Sequence, residues 1–274
     1  RLRIGRYVKI GSATFIDTNN VEIGDDAKIN EKVIIGGIKW PESSIIIGKR
    51  VTIMLNSFIN PTKPIIIGDD SGIGGHCLLF THGSWLSQLD GFPVSFESIT
   101  IGKKVWLPWR VFVMPGVKIG NNVVIGANSL VNQNFPSNTL IAGSPAKIIK
   151  ENYPVKPSSQ ERHIIIIRIL ERFMDILTKD GIKIFKELRG EDFHLNFKSE
   201  KKIPTKIIYF PKVPNKQPNI SDKSLLIIDF KEKFNFKHKA ILNLDDKTRL
   251  GSNNLLESFV NYLSNFGIRF ERLD

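Results

Sequence analysis

The chain has a single cysteine, Cys77, so no internal disulfide framework can staple its 274 residues. It also lacks a secretory apolar core and an uninterrupted membrane-spanning run, which leaves a cytoplasmic protein as the default expectation. Acidic residues are in the minority without being displaced to one end. Lysine plus arginine outnumber aspartate plus glutamate by 16 to 11 up to Pro154 and by 23 to 16 beyond it, so no tail or stripe concentrates the net charge of +12. That distribution excludes a dedicated basic arm and gives no reason to expect nucleic acid binding. It permits an anionic polymer as partner, and a solvated lysine-rich surface accounts for it as well. Hydrophobic content of 41% is ample for a core, and the length suits one large or two ordinary domains.

Against these absences stands a repeated phrase: an aliphatic residue, any residue, then Ile-Gly. It recurs at Leu2–Gly5, Val21–Gly24, Ile45–Gly48, Ile65–Gly68, Ile99–Gly102 and Val117–Gly120. Aliphatic residues also return every six positions, as at Ile47, Ile53 and Ile59, at Ile67, Ile73 and Leu79, and from Ile101 through Leu107, Val113, Ile119 and Ile125 to Val131. This period is neither that of an α-helix nor that of an ordinary strand. It predicts a solenoid in which each run forms one flat face and successive coils stack their aliphatic residues into one core. The glycine after the inward aliphatic is expected where the chain turns a tight corner and a side chain is costly.

The phase breaks once at length. Leu79 to Ile101 spans 22 residues where six would return the repeat, and the excess, 81–98, is an excursion carrying His82, Trp85, Asp90 and Glu97. Loops this long on a compact solenoid commonly carry function, and the aromatic residues within it argue for order.

These repeats resemble those of the hexapeptide-repeat acyltransferases. The closest motif likeness is to sugar and polysialic acid O-acetyltransferases, through Ile101-Gly102-Lys103-Lys104-Val105-Trp106-Leu107-Pro108, Val113-Met114-Pro115-Gly116-Val117 and Ile141-Ala142-Gly143-Ser144-Pro145-Ala146-Lys147. The resemblance implies a mainly β fold, a left-handed parallel β-helix over 1–152, and a homotrimer using acetyl-CoA. His82, at the mouth of the excursion, matches the family's catalytic histidine. A sugar hydroxyl is a poor nucleophile, and an imidazole with an unperturbed pKa of about 6.5 can take its proton as it attacks a thioester. Trp106 corresponds to a tryptophan that works with that histidine, by stabilising the oxyanion or packing the thioester. Asn60 and Trp85 are the acceptor-binding candidates. Gly126 and Ala127 offer small residues along which a pantetheine arm can lie; Ser144 belongs to the end signature, and Lys147 can meet a phosphate of coenzyme A. Pro108 departs from the family's usual glycine and removes a backbone donor.

No metal is expected, since the solenoid offers only His76 and His82 and no ligand spacing completes a set. Beyond Tyr153 the period vanishes, and 153–274 is expected to be a small α/β or α+β domain of unassigned role. A helix is predicted over Gln160–Leu177 and another over Asn254–Leu263, with strands at Lys206–Phe210, Leu225–Phe230, Ala240–Leu244 and Ile268–Arg272. The sequence thus points to an acetyl-CoA-dependent O-acetyltransferase acting on a saccharide hydroxyl, such as that of a bacterial capsule or surface glycan or its precursor, an anionic one included. Two alternatives stay open: N-acetylation of a nucleotide-linked amino sugar, and a non-catalytic β-helix module used for assembly or binding.

Overall fold

A computed structural model of the chain describes residues 1–179, 183–189, 192–198, 205–212, 225–229, 240–251 and 254–273. They fall into two units, Arg1–Val155 and Lys156–Asp274.

The first unit is a three-sided prism whose faces are sheets of parallel strands. Sheet A contains Leu2–Ile4, Asn20–Ile23, Ser44–Ile47, Ile65–Ile67, Ile99–Ile101 and Lys118–Ile119. Sheet B contains Lys9–Ile10, Lys28–Ile29, Thr52–Ile53, Gly72–Ile73, Trp106–Leu107, Val124–Ile125 and Thr139–Gly143, closed by the antiparallel strand Ala146–Glu151. Sheet C contains Phe15–Asp17, Ile34–Gly36, Phe58–Asn60, Leu78–Phe80, Phe112–Val113 and Leu130–Val131. The six-residue aliphatic period becomes vertical stacking: Ile47, Ile67, Ile101 and Ile119 lie in register on sheet A, and Ile59, Leu79, Val113 and Val131 on sheet C. All of these are buried in one continuous core. Because each residue touches its equivalent in the next coil, a run of isoleucines suffices where a globular core needs varied shapes.

The corners hold a correction. The repeat glycines sit at corners, yet the left-handed backbone falls two residues later on non-glycine residues, at pairs six apart such as Arg50 and Asn56, Asp70 and His76, and Lys104 and Arg110, with φ between 54 and 60°. Such a conformation costs an L-residue roughly 1–2 kcal/mol. Each corner amide offsets part of it by bonding to the coil before, as Asp70 N does to Lys49 O at 2.9 Å and Lys104 N to Asp69 O at 2.9 Å. The glycines serve stacking instead: a Cβ on Gly68 would stand 2.6 Å from the carbonyl carbon of Gly102.

These left-handed corners join sheets A to B and B to C. The third corner, from C back to A, is where the chain leaves the coil, over 37–43, 61–64 and 81–98. Within the last of these, His82–Gly83 pairs antiparallel with Ser95–Phe96.

In the second unit a seven-stranded mixed sheet follows chain order: Lys183–Arg189, Asp192–Lys198, Thr205–Phe210, Leu225–Ile228, Ile241–Asn243, Thr248–Leu250 and Glu271–Arg272. Helix α1 (Ser159–Lys179) begins with a capping box in which the Ser158 amide donates to Glu161 and the Glu161 amide to Ser158 Oγ. It packs with α2 (Asn254–Ser264) against Ile207, Tyr209, Leu225, Ile227 and Leu242, while Ile208, Phe210, Leu226 and Ile228 face the other side. Both helices and three expected strands lie where the sequence placed them, while Phe230 lies outside the described residues. The fourth expected strand shortens to Glu271–Arg272. The hairpin Lys183–Lys198 was not anticipated, although Phe193, Leu195 and Phe197 alternate with His194 and Asn196 at the period of a strand.

Candidate active site

Thr81, the residue before His82, is fully buried and ties two successive corners together. Its amide donates to Asn60 O at 3.3 Å and its Oγ1 to the same carbonyl at 2.8 Å; it accepts from Lys63 N at 2.9 Å and, through its own carbonyl, from Glu97 N at 2.9 Å. His82 therefore leaves the solenoid from a pinned backbone. Its Nδ1 is buried without a hydrogen-bond partner, leaving Nε2 as the nitrogen with access to a bound molecule. Asn60 lies one coil below at the same corner, buried, with Oδ1 accepting from Thr62 Oγ1 at 2.8 Å and its side chain filling the space above Gly37. Trp85 is 96% exposed, and Leu89 near it in the excursion is 99% exposed, so the tip of the excursion presents apolar surface outward.

Trp106 stands elsewhere, on the outer side of sheet B in register with Gly72 and Val124. In a three-sided prism, sheet B is the face opposite the corner that carries His82. One protomer therefore does not bring these two residues together.

The four cofactor candidates do share one place. Gly126 follows the sheet B strand Val124–Ile125, and a Cβ on it would meet the Ala142 methyl at 2.6 Å. Ala142 pairs with Lys147 across the terminal hairpin, whose turn holds the exposed Ser144. Ala127 is exposed beside Gly126. Ser129 Oγ donates to Gly126 O at 2.7 Å and accepts from Gly143 N at 3.1 Å, which fixes the two coils to each other. The result is a narrow, small-residue ledge ending in the Lys147 cation. Pro108 lies on the same corner, and having no N–H it leaves the ladder one rung short there.

Sequence reasoning missed a further tryptophan on that corner. Trp109 is 46% exposed, lies over Gly75 and has its ring centroid 5.7 Å from that of His76. The available signal was the pair of matched offsets, Gly72 with Trp106 and Gly75 with Trp109: each glycine vacates the space that the indole one coil later occupies. No group of three or more metal-ligating side chains occurs among the described residues, and no helix among them is long and apolar enough to cross a membrane.

A family model described as bacterial transferase hexapeptide (six repeats) matches residues 98–133. The putative lipopolysaccharide biosynthesis O-acetyl transferase WbbJ of Escherichia coli (strain K12) is 37% identical over 131 residues, covering 46% of this chain and 58% of that protein. The putative colanic acid biosynthesis acetyltransferase WcaF of the same organism is 34% identical over 124 residues, covering 38% of this chain and 68% of that protein. Among solved structures, a hexapeptide-repeat-containing acetyltransferase of Vibrio cholerae O1 biovar eltor, complexed with acetyl coenzyme A, is 25% identical with a TM-score of 0.40, covering 56% of this chain and 72% of that one. The chain belongs to the hexapeptide-repeat acetyltransferases, and its prism is their left-handed parallel β-helix. It spans little more than half the length of the first of these relatives.

Proposed function

We propose that the protein is an acetyl-CoA-dependent O-acetyltransferase whose acceptor is a saccharide hydroxyl of a bacterial surface glycan or its precursor. The observation that carries this reading is His82: an imidazole on a pinned backbone, with Nε2 accessible, at the root of the long excursion of a hexapeptide-repeat chain. His82 Nε2 takes the acceptor's hydroxyl proton as the oxygen attacks the thioester carbonyl. It returns that proton to the departing thiolate of coenzyme A, so the base is regenerated within one ternary complex. Trp106 and backbone donors stabilise the tetrahedral intermediate, Gly126, Ala127 and Ser144 line the pantetheine arm, and Lys147 meets a phosphate. Asn60 and Trp85 border the acceptor. With acetyl-CoA as donor, the reaction belongs in the cytoplasm.

The same reading calls for a homotrimer. Phe15, Ile34, Phe58, Leu78, Phe112 and Leu130 form an in-register apolar stripe down the outer side of sheet C, with Phe15 56% and Ile34 43% exposed. A stripe of this kind is suited to burial against another copy. Assembly would also let His82 of one protomer approach the sheet B face of its neighbour. The test is a screen of saccharide acceptors with acetyl-CoA, the product's acetylated atom being located by mass spectrometry and NMR. Acetylation of nitrogen, or no turnover on any acceptor, would overturn the reading.

A further inference from the structure

A general base needs its ring plane fixed, and histidine's χ2 is a broad, soft torsion. The usual device is a hydrogen bond to the second ring nitrogen. In His82 that nitrogen, Nδ1, is buried and makes none. The ring is held by a stack instead. Its centroid lies 5.7 Å from that of Phe96 with the planes only 12° apart, and Phe96 lies 4.4 Å from Trp40 on the corner two coils earlier. Lys63 Nζ sits 4.7 Å from the centroid of the Trp40 ring and is ion-paired with Glu42, which anchors the far end. On the solenoid side, Phe80 stands 6.2 Å from the imidazole. The strands that pair His82 with Phe96 are two residues each, too short to hold a side-chain plane by backbone bonds alone.

We infer that Phe96, backed by Trp40, is the positioning residue for the His82 imidazole, setting the plane from which Nε2 meets the acceptor. The inference rests on the reading of His82 as general base. Phe96→Leu keeps an apolar group of similar bulk and removes the flat surface; Phe96→Tyr keeps the surface. In the full-length protein, Phe96→Leu is expected to lower kcat roughly ten-fold, because base and acceptor lose their alignment, while KM for acetyl-CoA stays unchanged. Phe96→Tyr is expected to retain near wild-type kcat. Added to His82→Ala, Phe96→Leu is expected to cost nothing further.

A second readout is independent of turnover. The His82 Hε1 proton resonance carries a ring-current displacement in wild type and in Phe96→Tyr, and is expected to lose it in Phe96→Leu. Wild-type kcat in Phe96→Leu, or the same loss on the His82→Ala background, overturns the positioning role. If His82→Ala itself keeps wild-type turnover, the base assignment fails. The resonance then decides the stack alone, and an undisplaced signal in wild type, or an unchanged one in Phe96→Leu, overturns it.

Discussion

Gly72 lies directly beneath the indole of Trp106: a methyl group on it would stand 2.5 Å from the ring's Cε3 atom. Gly72 is buried and its backbone is fixed by neighbours on both sides, so the ring, not the chain, must yield. Gly72→Ala is therefore expected to swing the Trp106 ring off sheet B at an overpacking cost of about 1–3 kcal/mol, leaving the fold intact. Turnover in Gly72→Ala is expected to fall about as far as in Trp106→Ala, and in both by more than the affinity for coenzyme A. Steady-state kinetics beside calorimetric coenzyme A titration checks this; equal losses of turnover and affinity would reduce Trp106 to packing.

His82→Ala is expected to cost roughly 10²–10⁴-fold in turnover, the range for losing a general base, with the oligomer unchanged. Single-turnover kinetics on the identified acceptor, beside light scattering on the same sample, checks both halves. A folded variant with near-normal turnover would remove His82 from the mechanism.

Leu78 occupies the middle of the apolar stripe on sheet C, between Phe58 and Phe112. Leu78→Glu points outward and leaves the core untouched, so the protomer is expected to fold while a carboxylate blocks burial of the stripe. Light scattering is expected to give a monomer, and turnover is expected to vanish with it, because His82 and Trp106 lie on different faces of one chain. An active monomer would show that one copy carries a complete site.

The solenoid was legible because its physics is one-dimensional: residues six apart share an environment, so Ile47, Ile53 and Ile59 each reveal a face without knowledge of the others. The excursion was legible for the same reason, as a gap in phase. What the sequence hides is the relation between faces. Nothing in the spacing of His82 and Trp106 says that the intervening turns put them on opposite sides of a prism. The stack of Trp40, Phe96 and His82 joins residues far apart in sequence, and aromatic residues in loops announce no partner. In the second unit, the Lys183–Lys198 hairpin shows a strand's alternation only over Phe193, Leu195 and Phe197, a run short enough to be lost among charged neighbours.

Cys77 offers a chemical check on the core. Burial pushes its thiol pKa from 9.0 up to about 11, and Sγ donates to Pro108 O at 2.9 Å. The folded state therefore keeps its proton where the unfolded chain loses it. This contribution to stability is fully present below pH 9.0 and lost as pH rises through about 11. In denaturant titrations, the stability difference between wild type and Cys77→Ala is expected to hold steady below pH 9.0 and to shift against wild type as pH rises towards about 11. A thiol reagent at pH 8 is expected to label Cys77 only after unfolding, and prompt labelling of the native protein would show that the site opens.

Every residue assigned to the reaction lies in Arg1–Val155, a unit with its own core, while the residues beyond Pro154 carry 23 lysines and arginines against 16 acidic residues. An excess of basic residues in the second unit suits retention of an anionic polymer, through attractions that weaken as salt screens them. The cut belongs after Val155: the Tyr153 amide bonds to Asn138 O at 2.9 Å, and Lys150 Nζ lies 5.9 Å from the centroid of its ring, so an earlier stop would unseat the terminal hairpin. A chain ending there is expected to bind coenzyme A and to assemble, yet to lose activity on long acceptors more than on short ones, with the gap closing at high salt. Full activity on the polymer would exclude acceptor retention. Collapse to a monomer would instead assign the second unit to assembly, because the sheet C stripe alone would then be too weak to hold the copies together.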